Sequence, residues 1–382
     1  MRKVLTLPAW SLLAASLALL ACTAPAAPPT EDQHNEPPPD LSGPAADLSP
    51  PPPEGDPIVA PRGQWTWVDF PDSTCNEGTP TGIGVNWSNS KNLLIYLMGG
   101  GACWDYTTCY VLNTATKGPI RRQEFEAVVG NGSLRGTILD RDLATPFRDW
   151  NLVFVPYCTG DLHSGDHDAV YEGGGQRQTW RHRGRANLVA YLKRLRATFP
   201  ALDQLVLTGS SAGGYGATLN HDLVRRSFPR AAQAHLINDC GPILIGDDVP
   251  RLLRETWYTQ WRLDRTVGEL CPECRDDMSK VLGRLSALYP LDRLSLLAFT
   301  QDRVIRTYLG GKSAGEFEAA LNRLASQVLD PLPNARYFYI RSESHVMLFQ
   351  PAAHTSQGVR LLDWIGQQVG GDAGWRSVRP PF

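Results

Sequence analysis

A surplus of charge of either sign is what this chain most plainly lacks: 37 Lys and Arg stand against 39 Asp and Glu, a formal net charge of −2. A balance of that kind leaves no electrostatic footprint for a phosphate backbone, which argues against a nucleic-acid partner. Metal signatures are missing as well. Neither H-E-x-x-H nor paired C-x-x-C spacings occur, so no metal and no organic cofactor is expected. There is no internal repeat, and past the N-terminal segment no apolar run is long enough to cross a bilayer.

The N-terminal segment is the exception to that last absence. Arg2 and Lys3 precede an apolar stretch ending in Leu17-Ala18-Leu19-Leu20-Ala21-Cys22, the charged start, short hydrophobic core and small-residue exit of a secretory signal over residues 1–22. A cysteine directly after Leu-Leu-Ala resembles the lipobox of bacterial lipoproteins, which makes Cys22 the expected lipidation site. Export is therefore expected, with a lipid anchor holding the protein to a membrane and facing the periplasm or cell exterior. Residues 23–61 are dominated by Pro, Ala, Asp and Glu and include Pro37-Pro38-Pro39 and Pro50-Pro51-Pro52-Pro53, a composition that cannot bury a core and reads as a tether. Residues 62–382 have the apolar and aromatic content of one large globular domain, expected to act as a monomer.

Within that domain the run Leu205-Val206-Leu207-Thr208-Gly209-Ser210-Ser211-Ala212-Gly213-Gly214 reads as an apolar strand turning through G-x-S-x-G into a helix. In such a turn the central serine, Ser211, is lifted over the sheet edge at a helix N-terminus, the geometry of a nucleophile elbow. Ser210 is a neighbour off the centre of the motif. Leu219, Leu223 and Val224 follow at helical spacing, so strand, turn and helix arrive in the required order. Short apolar runs at 93–98, 152–155, 205–208, 235–238, 294–299 and 337–340 alternate with amphipathic stretches such as 188–199 and 317–329. That alternation predicts an α/β fold of the α/β-hydrolase kind, a mainly parallel central sheet with helices on both faces.

A serine hydroxyl needs a base to take its proton, and in α/β hydrolases the order along the chain is Ser, then Asp or Glu, then His. Of the histidines beyond Ser211, His221 falls inside the following helix, His235 inside a strand and His354 after Pro351; His345 alone follows a late strand. Asp302, at the end of the strand before it, is the expected partner that orients the imidazole. Asp239 ends the strand after the elbow and is the competing carboxylate, kept as a pocket residue; at either position an Asp can simply cap the next helix. The Gly99-Gly100-Gly101 turn after the first strong strand can supply oxyanion donors, from Gly100 and Gly101, together with the Ala212 amide. No Gly-Lys-Ser/Thr follows that turn, which sets aside a phosphate-binding loop.

Taken jointly, Cys75-Asn76-Glu77-Gly78-Thr79-Pro80, Gly99 to Asp105, Val155 to Asp161, Gly209 to Gly214, Gln301-Asp302 and Ser344-His345 resemble the pectin acetylesterase/Notum family of secreted carboxylesterases. The resemblance implies an α/β-hydrolase fold, a Ser211–His345–Asp302 triad, and an oxyanion hole at Gly100, Gly101 and Ala212. Plant members remove acetyl groups from pectin and animal Notum removes a fatty acyl group from Wnt proteins. The expected substrate is an acetylated polysaccharide such as pectin, with a Notum-like deacylase of longer chains or a non-catalytic glycan-binding lipoprotein as alternatives. Trp104, Tyr106, Tyr157 and Trp180 are aromatics near predicted loops that could stack on sugar rings, Trp104 foremost. Apart from Cys22, an exported chain is expected to pair its cysteines. Cys103 with Cys109 resembles a short disulfide of the family; one of Cys271 and Cys274 is expected to reach Cys240, and Cys75 and Cys158 stay unassigned.

Overall fold

The structure is a computed structural model and describes residues 55–381; Cys22, the signal and most of the tether lie outside the described residues. The strands are β1 (Thr66–Thr74), β2 (Pro80–Asn86), β3 (Asn92–Leu97), β4 (Asn151–Val155), β5 (His167–Gly173), β6 (Gln176–His182), β7 (Gln204–Ser210), β8 (Gln233–Asp239), β9 (Arg293–Phe299) and β10 (Ala335–Ile340), with a short pair, β11 (Thr355–Ser356) and β12 (Val359–Arg360), near the C-terminus. The helices are α1 (Arg122–Gly130), α2 (Gly184–Thr198), α3 (Ala212–Ser227), α4 (Arg251–Gln260), α5 (Val267–Leu270), α6 (Lys280–Leu288), α7 (Arg303–Tyr308), α8 (Ala314–Leu324) and α9 (Leu361–Val369).

One eight-stranded sheet runs β1-β2-β4-β3-β7-β8-β9-β10. From β4 to β10 neighbouring strands are parallel, and β1 and β2 add an antiparallel edge. Alternation along the strands divides the core between the two faces, as the two-residue period of a strand requires. Leu93, Ile95 and Leu97 of β3 pack with α2, α3, α6 and α8 on one face. Leu94 and Tyr96 pack with Phe125 of α1 and with Leu361, Trp364 and Ile365 of α9 on the other.

All six strands read from the sequence are present. The antiparallel pair β1/β2 and the separate β5/β6 hairpin are additions. The amphipathic stretch at 317–329 is α8 followed by a π-helical turn, Ala325–Leu329. The tether boundary shifts: Ile58, placed in the tether by composition, is 4% exposed in the main core, and its amide donates to Thr198 Oγ1 at 2.8 Å. Ala60 packs against the same core and Arg194 Nε donates to the Asp56 carbonyl at 3.1 Å.

Three disulfides occur among the described residues, Cys75–Cys158, Cys103–Cys109 and Cys271–Cys274. Cys240 is free and buried, so the expected link from Cys271 or Cys274 to Cys240 is not made. Cys271 and Cys274 sit in one turn, within reach of each other, and Cys240 is buried directly after β8. No helix among the described residues is long and apolar enough to cross a membrane.

Candidate active site

Ser211 sits between the end of β7 and the first turn of α3 with φ 59° and ψ −122°, a region that L-residues other than glycine rarely adopt. The strain is sustained by the packing around it. A β-carbon on Gly213 would meet the Leu97 carbonyl oxygen at 1.9 Å, so only glycine lets α3 approach β3 this closely. The Ser211 amide donates to the Asp239 carbonyl at 2.7 Å, fixing the elbow to the neighbouring strand.

Two strands further along, Asp302 and His345 meet, with His345 Nδ1 lying 2.7 Å from Asp302 Oδ2. The other oxygen, Oδ1, accepts from the Val304 and Ile305 amides at 2.9 and 3.0 Å, so Asp302 also caps α7. The capping role and the orienting role thus use different oxygens of one carboxylate. In a neutral ring, a proton on the nitrogen that faces the carboxylate leaves Nε2 as the acceptor. Asp302 is buried and His345 is 18% exposed at its side chain. No hydrogen bond joins Ser211 Oγ to His345 among the described residues.

Asp239 does not face the pocket. It is fully buried, and its carboxylate accepts from Ser210 Oγ at 2.6 Å, the Met347 amide at 2.8 Å and the Leu348 amide at 3.0 Å. Burial raises its pKa, and the bonds from Ser210, Leu348 and Met347 oppose that rise. With these donors on its oxygens, Asp239 is no rival to Asp302 as partner of His345. Cys240 Sγ, an Asp302 oxygen and a His345 nitrogen lie within 4.8 Å of one another, the one group among the described residues compact enough to share a metal ion. Two of its three members are already bonded to each other.

A pocket opens beside Ser211, lined by Gly101, Ala102, Leu162, Ser211, Ala212, Tyr215, Trp257, Ile305, Tyr308 and Leu309. Of the expected oxyanion donors, Gly101 and Ala212 line it; Gly100 does not, and its carbonyl accepts from the Thr116 amide at 2.8 Å. Gly101 has φ +74°, and a β-carbon there would meet the Thr114 carbonyl oxygen at 2.0 Å. The loop is clamped: Tyr308 Oη donates to that same carbonyl at 2.5 Å, Thr114 Oγ1 donates to the Ala102 carbonyl at 2.6 Å, and the Cys103–Cys109 disulfide follows. Behind it His163 Nε2 lies 2.8 Å from the Met98 carbonyl, and burial lowers this imidazole to about 4, so the neutral ring donates there.

The aromatics expected at the surface are mostly structural. Tyr157 and Trp180 are buried, with Tyr157 Oη accepting from the Leu162 amide and Trp180 Nε1 donating to the Thr159 carbonyl. Tyr106 is half-buried against Tyr110. Trp104 is half-buried and stands one ring behind the pocket, edge-on to Trp257 at 5.5 Å. Tyr215, Trp257 and Tyr308 are the pocket aromatics that sequence reasoning missed; each lies on a helix whose pattern resembles any amphipathic segment, and no motif singles them out. His221 pairs with buried Asp292 at 3.0 Å, and His235 is buried in β8. His354 is half-buried against Phe299.

Comparisons with known proteins bear on the family and the fold. The family model described as Pectinacetylesterase matches residues 66–294. A palmitoleoyl-protein carboxylesterase Notum of Schmidtea mediterranea is 32% identical over 169 residues, 42% of this chain and 31% of the relative. Pectin acetylesterase 11 of Arabidopsis thaliana is 28% identical over 178 residues, 44% of this chain and 40% of the relative. The aligned stretch thus spans well under half of either relative. The solved structure of the Wnt deacylase Notum from Drosophila superimposes with a TM-score of 0.60 at 19% identity, covering 84% of this chain and 97% of that one, which shows a shared fold. On the family match, the chain belongs to the pectinacetylesterase family.

Proposed function

We propose that this chain is a serine carboxylesterase that removes short acyl groups, acetyl foremost, from a polysaccharide such as pectin. The observation that carries the reading is the convergence of a strained serine elbow and a carboxylate-bound histidine on the carboxyl edge of one sheet. In the proposed reaction Ser211 Oγ attacks the ester carbonyl while His345 Nε2 takes its proton. The Gly101 and Ala212 amides hold the oxyanion, and the protonated His345 returns the proton to the departing sugar hydroxyl. Water activated by the same nitrogen then attacks the acyl-serine and releases the acid, regenerating Ser211.

Pocket size favours a short acyl group. The cavity beside Ser211 has a volume of about 30 Å³. That holds on the order of two waters, enough room for an acetyl group. A second, apolar chamber of about 40 Å³ lies beyond it, and Leu162, Tyr215, Trp257 and Leu309 line both. It supports a second reading, deacylation of longer esters, if that shared wall opens.

Hydrolysis of p-nitrophenyl acetate, butyrate and palmitate, together with acetate release from acetylated pectin and xylan, tests both readings. Acetate release from a polymer that disappears in Ser211→Ala is expected. Preference for palmitate would replace the short-acyl reading with the second one, and full activity in Ser211→Ala would refute the serine mechanism.

A further inference from the structure

Asp239 sits at an unusual junction for a residue with no face on the pocket. Its backbone carbonyl holds the Ser211 amide at 2.7 Å. Its carboxylate takes the hydroxyl of Ser210, the residue before the nucleophile, and Tyr96 Oη in turn donates to Ser210 Oγ at 3.0 Å. The same carboxylate takes the amides of Met347 and Leu348, two and three residues past His345. Between His345 and Met347, Val346 has φ 61°, a conformation a β-branched residue does not hold without being pinned. The segment carrying the base and the turn carrying the nucleophile come from strands that are not neighbours, β10 and β7, and one buried side chain on β8 bonds to both.

We propose that Asp239 is a positioning residue that holds the His345 segment in register with Ser211, so that the two close to bonding distance when substrate arrives. The inference rests on the Ser211–His345 reading of the site. No neutral isostere can replace the carboxylate. In Asp239→Asn one oxygen becomes an NH₂ group, which faces an amide N–H at whichever position it takes, and one of the two anchoring bonds is lost.

The test compares Asp239→Asn, Ser210→Ala and the parent on p-nitrophenyl acetate, with active sites counted by a fluorophosphonate reaction run to completion. Because misplacement of a reacting group by about 1 Å costs about 10²-fold in rate, Asp239→Asn is expected to lose about that in kcat per titrated site, with KM nearly unchanged. Ser210→Ala keeps both backbone bonds and loses one donor, so a smaller fall in kcat, about three- to tenfold, is expected. A residue that only stabilised the fold would lower the number of titrated sites and leave kcat per site intact, and that result overturns the proposal. Should Asp239→Asn fail to fold, Ser210→Ala decides alone, an unchanged kcat per site overturning it. Ser211→Ala, run in parallel, keeps the two readings apart: residual turnover there refutes the nucleophile, whereas silent Asp239 and Ser210 variants with a dead Ser211→Ala refute only the positioning role.

Discussion

Acidification should unfold this protein with net proton uptake, because three imidazoles are buried in the neutral form. Burial lowers His163 to about 4, His182 to about 3 and His235 to about 4, from an ordinary 6.5. Hydrogen bonding shows why the neutral ring is kept: His182 has Nδ1 on the Thr159 carbonyl and Nε2 on Tyr171 Oη, and neither nitrogen of His235 has a partner within the protein. A lowered folded-state pKa gives stability that is whole above 6.5 and is lost as pH falls towards 4. Asp161 acts in the opposite sense. Burial raises it to about 6 from 3.8, so between those values the folded state holds a proton that the unfolded chain has released. His167 and His354, also lowered by burial, add to the first group, and Asp239 adds to the second. Near pH 5 the three imidazoles less one carboxyl leave a net uptake of about two protons, a slope of about 2.7 kcal/mol per pH unit. Urea unfolding with the disulfides intact, repeated from pH 6.5 to 4.5, reads that slope directly. His235→Leu should remove about one proton from it, or about 1.4 kcal/mol per pH unit. An unfolding free energy that stays level or rises on acidification would refute the reasoning.

Asp302→Asn separates the two tasks of that side chain. If the amide oxygen keeps the Val304 and Ile305 bonds, the cap survives while the NH₂ group faces His345 Nδ1 and favours the wrong tautomer; kcat should fall by about 10⁴-fold with the melting temperature little changed. An Asp302→Asn protein with parental kcat would contradict the triad. Leu309→Ala removes a residue lining both the Ser211 pocket and the apolar chamber behind it. Activity on p-nitrophenyl butyrate should then rise relative to acetate, and an unchanged ratio would show that the shared wall does not limit chain length.

The parts of the site that could be read from the sequence are those where chemistry dictates residue type and spacing together. Ser211 is flanked by glycines because helix and strand backbones nearly touch, and that demand leaves a visible motif. Asp302 and His345 were legible because strand ends collect functional groups in open α/β sheets. Burial was not legible in the same way. Tyr157, Trp180 and Asp239 lie near the active loops in sequence, and only the packing shows that their polar atoms are used inside the protein. β1 carries Pro71 and three acidic or hydroxyl-bearing residues in its second half, and its exposure pattern at the sheet edge hides its period. The β5/β6 hairpin, rich in charge and closed by Gly174 and Gly175, resembles a loop in composition. Trp257 and Leu309 reach the pocket from segments between strands, where no local pattern records what lies opposite.

The most direct test of the account is to label the proposed nucleophile covalently. A serine-directed fluorophosphonate reacts with the folded protein, and the adduct is mapped by proteolysis and mass spectrometry. The account predicts one adduct, on Ser211, that is absent in Ser211→Ala and forms much more slowly in His345→Ala. Labelling of Ser210 or another residue with Ser211 untouched, or no labelling of an ester-hydrolysing protein, would contradict it.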